Sequence, residues 1–534
     1  MDQKARIVTG IVLINLIQSF FTELMHDEAY YWMWSNNLAW GYFDHPPMIA
    51  WVIWVGKSLL ESELGVRLMA VFLHGLTLYF LFTFLEEKNW FKKNWLYYTI
   101  PISIPLFHIF GFIATPDAPL LFFVFVYFIL LEKYLKTPHW GKAILIGLVI
   151  SGMFYSKYTT ILVPIFTIIG LPRLLKDKNI WIAFFVVILT FLPHAFWQIN
   201  HEFPSLKYHL IERSDSIEWE FLTTYFVNFF AFSPVYPLIF WLVFKNKVSS
   251  SYERILKSVF FGYLVFFLIM IFRGRPQPQW FLPIVFPMAY YTIKYGLPND
   301  IYRKWVKGSV IFVLCLYVPL RIVLMLSNLD LKTEFHNNER SLTTMADMAG
   351  EKPVVFSNNY YWPSKYMFYT GNLSFGMSDI NYHKTQFDFQ PQNEIAVDGD
   401  TVLFVNYFKP QSSITREDIK LEVMEDYPLH YWVANKLELN SDNSQLLVTS
   451  QNTYPDEITL SANALDLTAV YIDDISGERI MHKQEFKTIR LSPGEEYQFT
   501  LPFQADRDFK GKVFVSFHLK RFDPYFPDYF LTIN

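Results

Sequence analysis

Apolar residues in this chain fall into two patterns. Up to about residue 327 they form long, nearly uninterrupted runs, and beyond it they form short, alternating stretches. A bilayer span needs roughly 20 mostly apolar residues. Runs approaching that kind occupy 6–22, 64–85, 95–113, 117–132, 142–155, 158–171, 180–197, 221–244, 256–272, 279–295 and 307–327. They predict a polytopic α-helical membrane region of about 11 transmembrane helices over 1–327. Later, Pro353–Ser357 suits a buried strand, 359–370 an aromatic helix and Thr401–Phe408 a second strand, so 328–437 is expected to be a small α/β domain. Short alternating stretches at 444–451, 457–462, 467–473, 485–490, 496–502 and 511–519 predict a β-sandwich over 438–534.

Between the first two runs lies His26-Asp27-Glu28-Ala29-Tyr30-Tyr31-Trp32-Met33-Trp34, which continues to Gly41-Tyr42-Phe43-Asp44-His45-Pro46-Pro47. Tyr and Trp favour the membrane–water interface. With helical spacing, Tyr30, Met33 and Trp34 share a face, which predicts a helix lying in the interface plane.

Charge then orients the runs. Lys4 and Arg6, Lys88, Lys92 and Lys93, Lys133 and Lys136, Arg173 and Lys176, Lys245 and Lys247, and Arg303 and Lys304 fall in alternate connections, which are therefore expected to be cytoplasmic. The opposite side has only Lys57, Arg67, Lys157, Lys207, Arg213, Arg273 and Arg275. The N-terminus is expected inside, and everything after 327 outside. No small-residue cleavage site follows residues 1–22, which read as a retained first span. At 52% hydrophobic and 18% charged, the chain departs from a soluble composition in the same direction. A net charge of −4 gives no nucleic-acid footprint, and one cysteine, Cys315, excludes an intrachain disulfide.

Cations are disfavoured outside, so those found there need a reason. Lys157, Arg273 and Arg275 share that face with Asp27, Asp44 and Asp117. Acids beside bases at a bilayer surface suit a lipid-borne phosphate: the bases hold the anion, and an acid serves as general base. Helix capping by Asp27 and Asp117 and snorkelling by Lys157 are the structural alternatives.

Asp27-Glu28-Ala29-Tyr30-Tyr31-Trp32, Gly41 to Pro47, Ala114-Thr115-Pro116-Asp117-Ala118-Pro119 and Ser156-Lys157-Tyr158-Thr159 resemble the bacterial branch of the protein mannosyltransferase family, which includes the aminoarabinose transferases. Asn200-His201-Glu202-Phe203-Pro204-Ser205 and Gln279-Trp280 extend the likeness, with Gln279 where the family often has Asn. The resemblance implies a GT-C fold and inverting transfer of a sugar from a polyprenyl-phosphate donor. The acceptor would be lipid A, a glycan or a protein of the envelope, met on the outer face of the inner membrane. It implies Asp27 as base, with Glu28 and Asp117 as further catalytic candidates. Asp44, His45, Lys157, Tyr158, Lys207, Arg273, Arg275, Gln279 and Trp280 are the expected substrate-binding set. Asp44 and His45 are candidate ligands for a divalent metal, but two residues are too few for a zinc site, and no cofactor is otherwise implied. The alternative is a transporter or flippase for lipid-linked sugars, which would use the same phosphate grip without a base.

Overall fold

The computed structural model describes residues 2–533 except 89, 91–94, 210–218, 231–234, 276, 328, 330, 332, 391, 398–400, 407–421, 429–432, 441–443, 464, 474–477, 506–508, 521–522 and 526–529. Arg213 and the expected strand end at 407–408 lie outside the described residues. Two compact units emerge, Met1–Asn338 and Glu339–Asn534.

The first unit is helical. It opens with α1 (Gln3–Phe21), α2 (His26–Trp34), α3 (Met48–Lys57), α4 (Glu63–Glu87), α5 (Trp95–Ile102), α6 (Pro105–Ile109), α7 (Asp117–Lys136) and α8 (Trp140–Ser156). There follow α9 (Leu162–Gly170), α10 (Lys178–Asn200), α11 (Pro204–Lys207), α12 (Trp219–Phe230), α13 (Val235–Lys245), α14 (Ser251–Met270), α15 (Val285–Tyr291) and α16 (Asp300–Met325). Side-chain caps begin many of them, since the first N–H groups of a helix have no internal partner. Asp2 accepts from Ala5 N at 2.8 Å, and Asn299 from Ile301 N and Tyr302 N at 3.0 and 3.1 Å.

Five of the described helices, α1, α4, α7, α10 and α16, are long and apolar enough to cross a bilayer. Several of the other expected spans are broken. The run 95–113 divides into α5 and α6 around Pro101 and Pro105, because proline lacks the N–H that continues a helix. The run 279–295 is a 3₁₀ helix (Pro278–Ile284), then α15, then a π turn (Thr292–Gly296). The short apolar helix α3 was absent from the expected set. Its Gly56 approaches the Gly65 backbone of α4 so closely that a Cβ would overlap it, a small-residue contact typical of membrane helices. Some of the basic residues expected on the cytoplasmic side pair with acids, Lys4 with Glu86 at 2.8 Å and Lys88 with Glu132.

The helix expected to lie in the interface is instead packed inside. Tyr30, Tyr31, Met33 and Trp34 of α2 are all buried. Trp34 stacks on Tyr42, with ring centroids 4.5 Å apart and planes 12° apart. The aromatic run therefore stabilises protein packing rather than a lipid boundary.

The second unit holds α17 (Asn338–Ala349, whose first residue belongs to the first unit) and α18 (Tyr361–Thr370) beside a sheet in the order β2-β1-β3-β4. Here β1 (Val354–Ser357), β2 (Ser374–Met377) and β3 (Thr401–Asn406) are parallel, and β4 (Glu422–Pro428) is antiparallel to β3. The sandwich follows. One sheet orders β11-β6-β5, from β5 (Val433–Leu439), β6 (Gln445–Asn452) and β11 (Glu496–Pro502). The other orders β13-β12-β8-β9, from β8 (Leu465–Asp473), β9 (Arg479–Gln484), β12 (Gly511–Leu519) and β13 (Leu531–Ile533). Leu446 and Val448 of the first sheet meet Ala469, Tyr471, Val513 and Val515 of the second in one core. The strand expected at 485–490 is replaced by β9 and by β10 (Ile489–Leu491), which pairs with β7 (Ile458–Leu460).

Candidate functional site

The cluster begins where α2 enters the bundle. Glu28 is fully buried and forms a two-point ion pair with Arg67 of α4, at 2.7 Å through Nε and 2.5 Å through Nη2. Its carboxylate also accepts from Ala114 N at 2.7 Å and from Met25 N at 2.9 Å. The remaining Arg67 N–H groups donate to the carbonyls of Ser19, Thr22 and Glu23 at 3.2, 2.5 and 2.9 Å. Expected as a catalytic candidate, Glu28 is fully buried and both of its oxygens are held in hydrogen bonds. It joins α1, α2, α4 and the loop before α7. Asp27, the next residue, is half-buried in the first turn of α2, where the positive end of the helix dipole favours a carboxylate.

Asp117 and Lys157 pair directly. Lys157 ends α8 and its Nζ lies 2.8 and 3.0 Å from the two oxygens of Asp117, which opens α7. Both are buried, with exposures of 4% for Asp117 and 8% for Lys157. An ion pair so placed survives desolvation only through tight geometry. Tyr158 heads a second network. The Trp40 carbonyl accepts from His194 Nδ1 at 2.6 Å, so His194 Nε2 carries the lone pair. That nitrogen accepts from the Tyr158 hydroxyl at 3.0 Å, whose oxygen accepts from Gln198 Nε2 at 2.9 Å. Gln198 Nε2 also lies 2.8 Å from Ser205 Oγ, and Ser205 donates to the Tyr42 carbonyl at 3.0 Å. Gln198 Oε1 is buried without a hydrogen-bond partner in the structure.

Asp44 and His45 border this network. The Asp44 carbonyl accepts from His209 Nε2 at 2.7 Å, and the charge of Asp44 acts on the Tyr158 hydroxyl. The His45 ring lies 5.9 Å from His209 and 6.0 Å from Tyr31 of α2. Tyr263 of α14 closes another side by donating to the Thr159 carbonyl at 3.2 Å. Among the described residues, no group of three His, Cys, Asp or Glu is arranged to hold a metal ion. Asp44 and His45 therefore do not fit a metal centre built from protein ligands alone.

Other expected site residues have different partners. Lys207 is exposed and faces Glu202 at 3.5 Å. Arg275 faces Glu220 at 3.9 Å, and Gln279 donates to Gln277 at 2.8 Å. Arg273 is exposed, and Trp280 packs on Phe267 with centroids 5.1 Å apart. The structure thus gathers Asp44, His45, Asp117, Lys157 and Tyr158, with Asp27 on the helix whose Tyr31 touches His45.

His194, Gln198 and Ser205 were not among the residues picked from the sequence. In the sequence, His194 and Gln198 show only as polar side chains four apart in one apolar helix, and Ser205 only as the last residue of the 200–205 motif. Gly41 was legible as part of a motif but not for its reason: a Cβ there would overlap the Trp197 ring. Gly41→Ala is expected to displace Trp197 from the 40–45 loop and cost about 1–3 kcal/mol, visible as a lowered unfolding temperature in detergent. An unchanged melting curve would rule out that contact.

Residues 44–197 match the family model for dolichyl-phosphate-mannose-protein mannosyltransferases. The chain is 26% identical over 390 residues to the lipid A galacturonosyltransferase RgtD of Rhizobium johnstonii, spanning 66% of this chain and 79% of that one. The structure resembles that of ArnT from Cupriavidus metallidurans in the apo state (TM-score 0.53, 12% identity, 75% of this chain and 92% of that one). It also resembles the same protein bound to undecaprenyl phosphate (TM-score 0.52, 13% identity, 75% and 92%). Over three quarters of the chain the fold is thus that of a GT-C protein.

Proposed function

We propose, for a chain that is a membrane glycosyltransferase of the GT-C type, that it moves a sugar from a polyprenyl-phosphate donor to a hydroxyl of an envelope lipid or glycan on the outer membrane face. One observation supports this reading most. A buried Asp117–Lys157 pair stands beside a polar network that includes Tyr158 and ends in an unpartnered Gln198 Oε1. A phosphate arriving at Lys157 would compete with Asp117 for its ammonium, and Gln198 Oε1 offers an acceptor for a sugar hydroxyl.

In this reading Asp27 takes the proton from the acceptor hydroxyl as its oxygen bonds to the anomeric carbon. The bond from that carbon to the phosphate oxygen breaks on the opposite face, which inverts the centre. The bonding electrons leave with the polyprenyl phosphate, whose developing charge Lys157 stabilises. Arg273 and Arg275 serve as outer cations for the departing lipid. The likeness to RgtD supports lipid A as an acceptor class.

The test uses the full chain in detergent, with synthetic polyprenyl-phosphate sugars and lipid A fractions. Donor turnover without a second compartment is expected, and its absence alongside vesicle transport of the donor would favour the flippase alternative. Lys157→Gln is expected to lower kcat/KM for the donor at least 100-fold, about 3 kcal/mol, measured per folded molecule, since the change also leaves Asp117 buried without its counter-charge. Parent activity in that variant would remove Lys157 from the phosphate site.

A further inference from the structure

A second polar cluster lies between α1 and α16. Arg321 is four residues from the end of α16, about 6 Å along the helix. α16 packs against α1, and Gln18 lies a similar distance from the end of that helix. In a helix that spans a bilayer, a position about one turn from the end lies near the head groups. Arg321 Nε donates to Gln18 Oε1 at 2.9 Å, and Nη2 lies 3.4 Å from the Ile14 carbonyl. The guanidinium sits over the Phe112 ring, 4.7 Å from its centroid. Gln18 is itself held, donating to Thr22 Oγ1 at 2.6 Å.

These contacts draw the side chain inward, which snorkelling to solvent would not do. No carboxylate pairs with Arg321 among the described residues. Instead its charge acts on two imidazoles, His74 and His108. His108 Nε2 is buried without a hydrogen-bond partner, and so is Oδ1 of Asn15, a residue 2% exposed whose amide nitrogen donates to the Gly111 carbonyl at 3.0 Å. A cation in a membrane span without an anion is costly. Around it, Ile14, Ile17 and Phe20 of α1 and Val318 and Ile322 of α16 are exposed, forming an apolar surface suited to acyl chains.

We propose that Arg321, Gln18, His108 and Asn15 form a binding site for a membrane glycerophospholipid. The phosphodiester rests on Arg321, where a charge-assisted hydrogen bond supplies the missing anion. His108 Nε2 donates to a second phosphate oxygen. Asn15 Oδ1 accepts from a hydroxyl or ammonium group of the same head group, which favours phosphatidylglycerol or phosphatidylethanolamine over phosphatidylcholine. Nothing here depends on the transferase reading, because lipid retention and sugar transfer are read separately.

The experiment is native mass spectrometry of the full chain after exchange through detergent containing a defined mixture of the three phospholipids. One retained phospholipid is expected, ethanolamine or glycerol over choline by at least tenfold. Arg321→Gln should lower retention at least tenfold, and Arg321→Lys should lower it less, while sugar transfer in detergent stays at the parent level. Asn15→Leu is the second variant, needed if Arg321→Gln does not fold. It should keep phospholipid retention but lose the preference against choline. Equal retention by Arg321→Gln, an unaltered preference in Asn15→Leu, no retained phospholipid in the parent, or a polyprenyl phosphate lost from this site would each overturn the proposal.

Discussion

Asp27→Asn should lower glycosyl transfer by about 10²–10⁴-fold, the range that a positioned general base contributes. The substitution keeps size and hydrogen-bonding capacity but removes the ability to take a proton. The loss should appear in kcat, with donor KM changed by no more than about twofold, because Asp27 acts on the acceptor hydroxyl and not on the donor phosphate. Asp27→Glu keeps a carboxylate on the same helix turn and should recover part of the rate. Steady-state assay with a purified lipid-phosphate donor decides the matter. Transfer at the parent rate in Asp27→Asn would exclude it as the base.

The other large effect concerns stability. Glu28→Gln leaves the Arg67 guanidinium buried without its counter-charge, and Arg67→Met leaves the carboxylate in the same state. Breaking one side of such a pair costs about 3–5 kcal/mol, enough to remove most folded protein from a detergent extract. Replacing both, as Glu28→Leu with Arg67→Met, should cost less than the sum of the single changes, since no uncompensated charge remains. Some loss should persist, because Ala114 N and Met25 N would still lack their acceptor. Thermal unfolding followed by size-exclusion fluorescence gives all three values. Additive losses would mean that the two residues do not act as a pair.

The apolar helices of the first unit and the strands of the second were legible in residue patterns. Long apolar runs announce spans through length alone, and Asp117 and Lys157 were both visible as charges at turns of one face. Their pairing was not, because 40 residues separate them and only helix packing brings them within 2.8 Å. The same limit hid the partner of Glu28: Arg67 was visible as an outward cation needing a reason, and its reason is the neighbour of Asp27. Interface helix and buried helix look alike in composition when the run is as aromatic as Tyr30–Trp34, so the burial of α2 could not be read from periodicity. Arg321 lies inside the apolar run 307–327, where nothing in the sequence distinguishes it. The run 95–113 reads as one span by its apolar length, whereas Pro101 and Pro105 divide it into α5 and α6.

That break bears on how the protein enters its bilayer. With 8 residues in α5 and 5 in α6, neither is near the roughly 20 needed to partition into lipid unaided. Buried residues of both belong to one core with α7 and α14. The two short pieces therefore have to wait at the insertion machinery until later segments are made. Chains halted before α14 should leave 95–110 accessible to water-soluble thiol reagents at engineered cysteines, and completed chains should protect them.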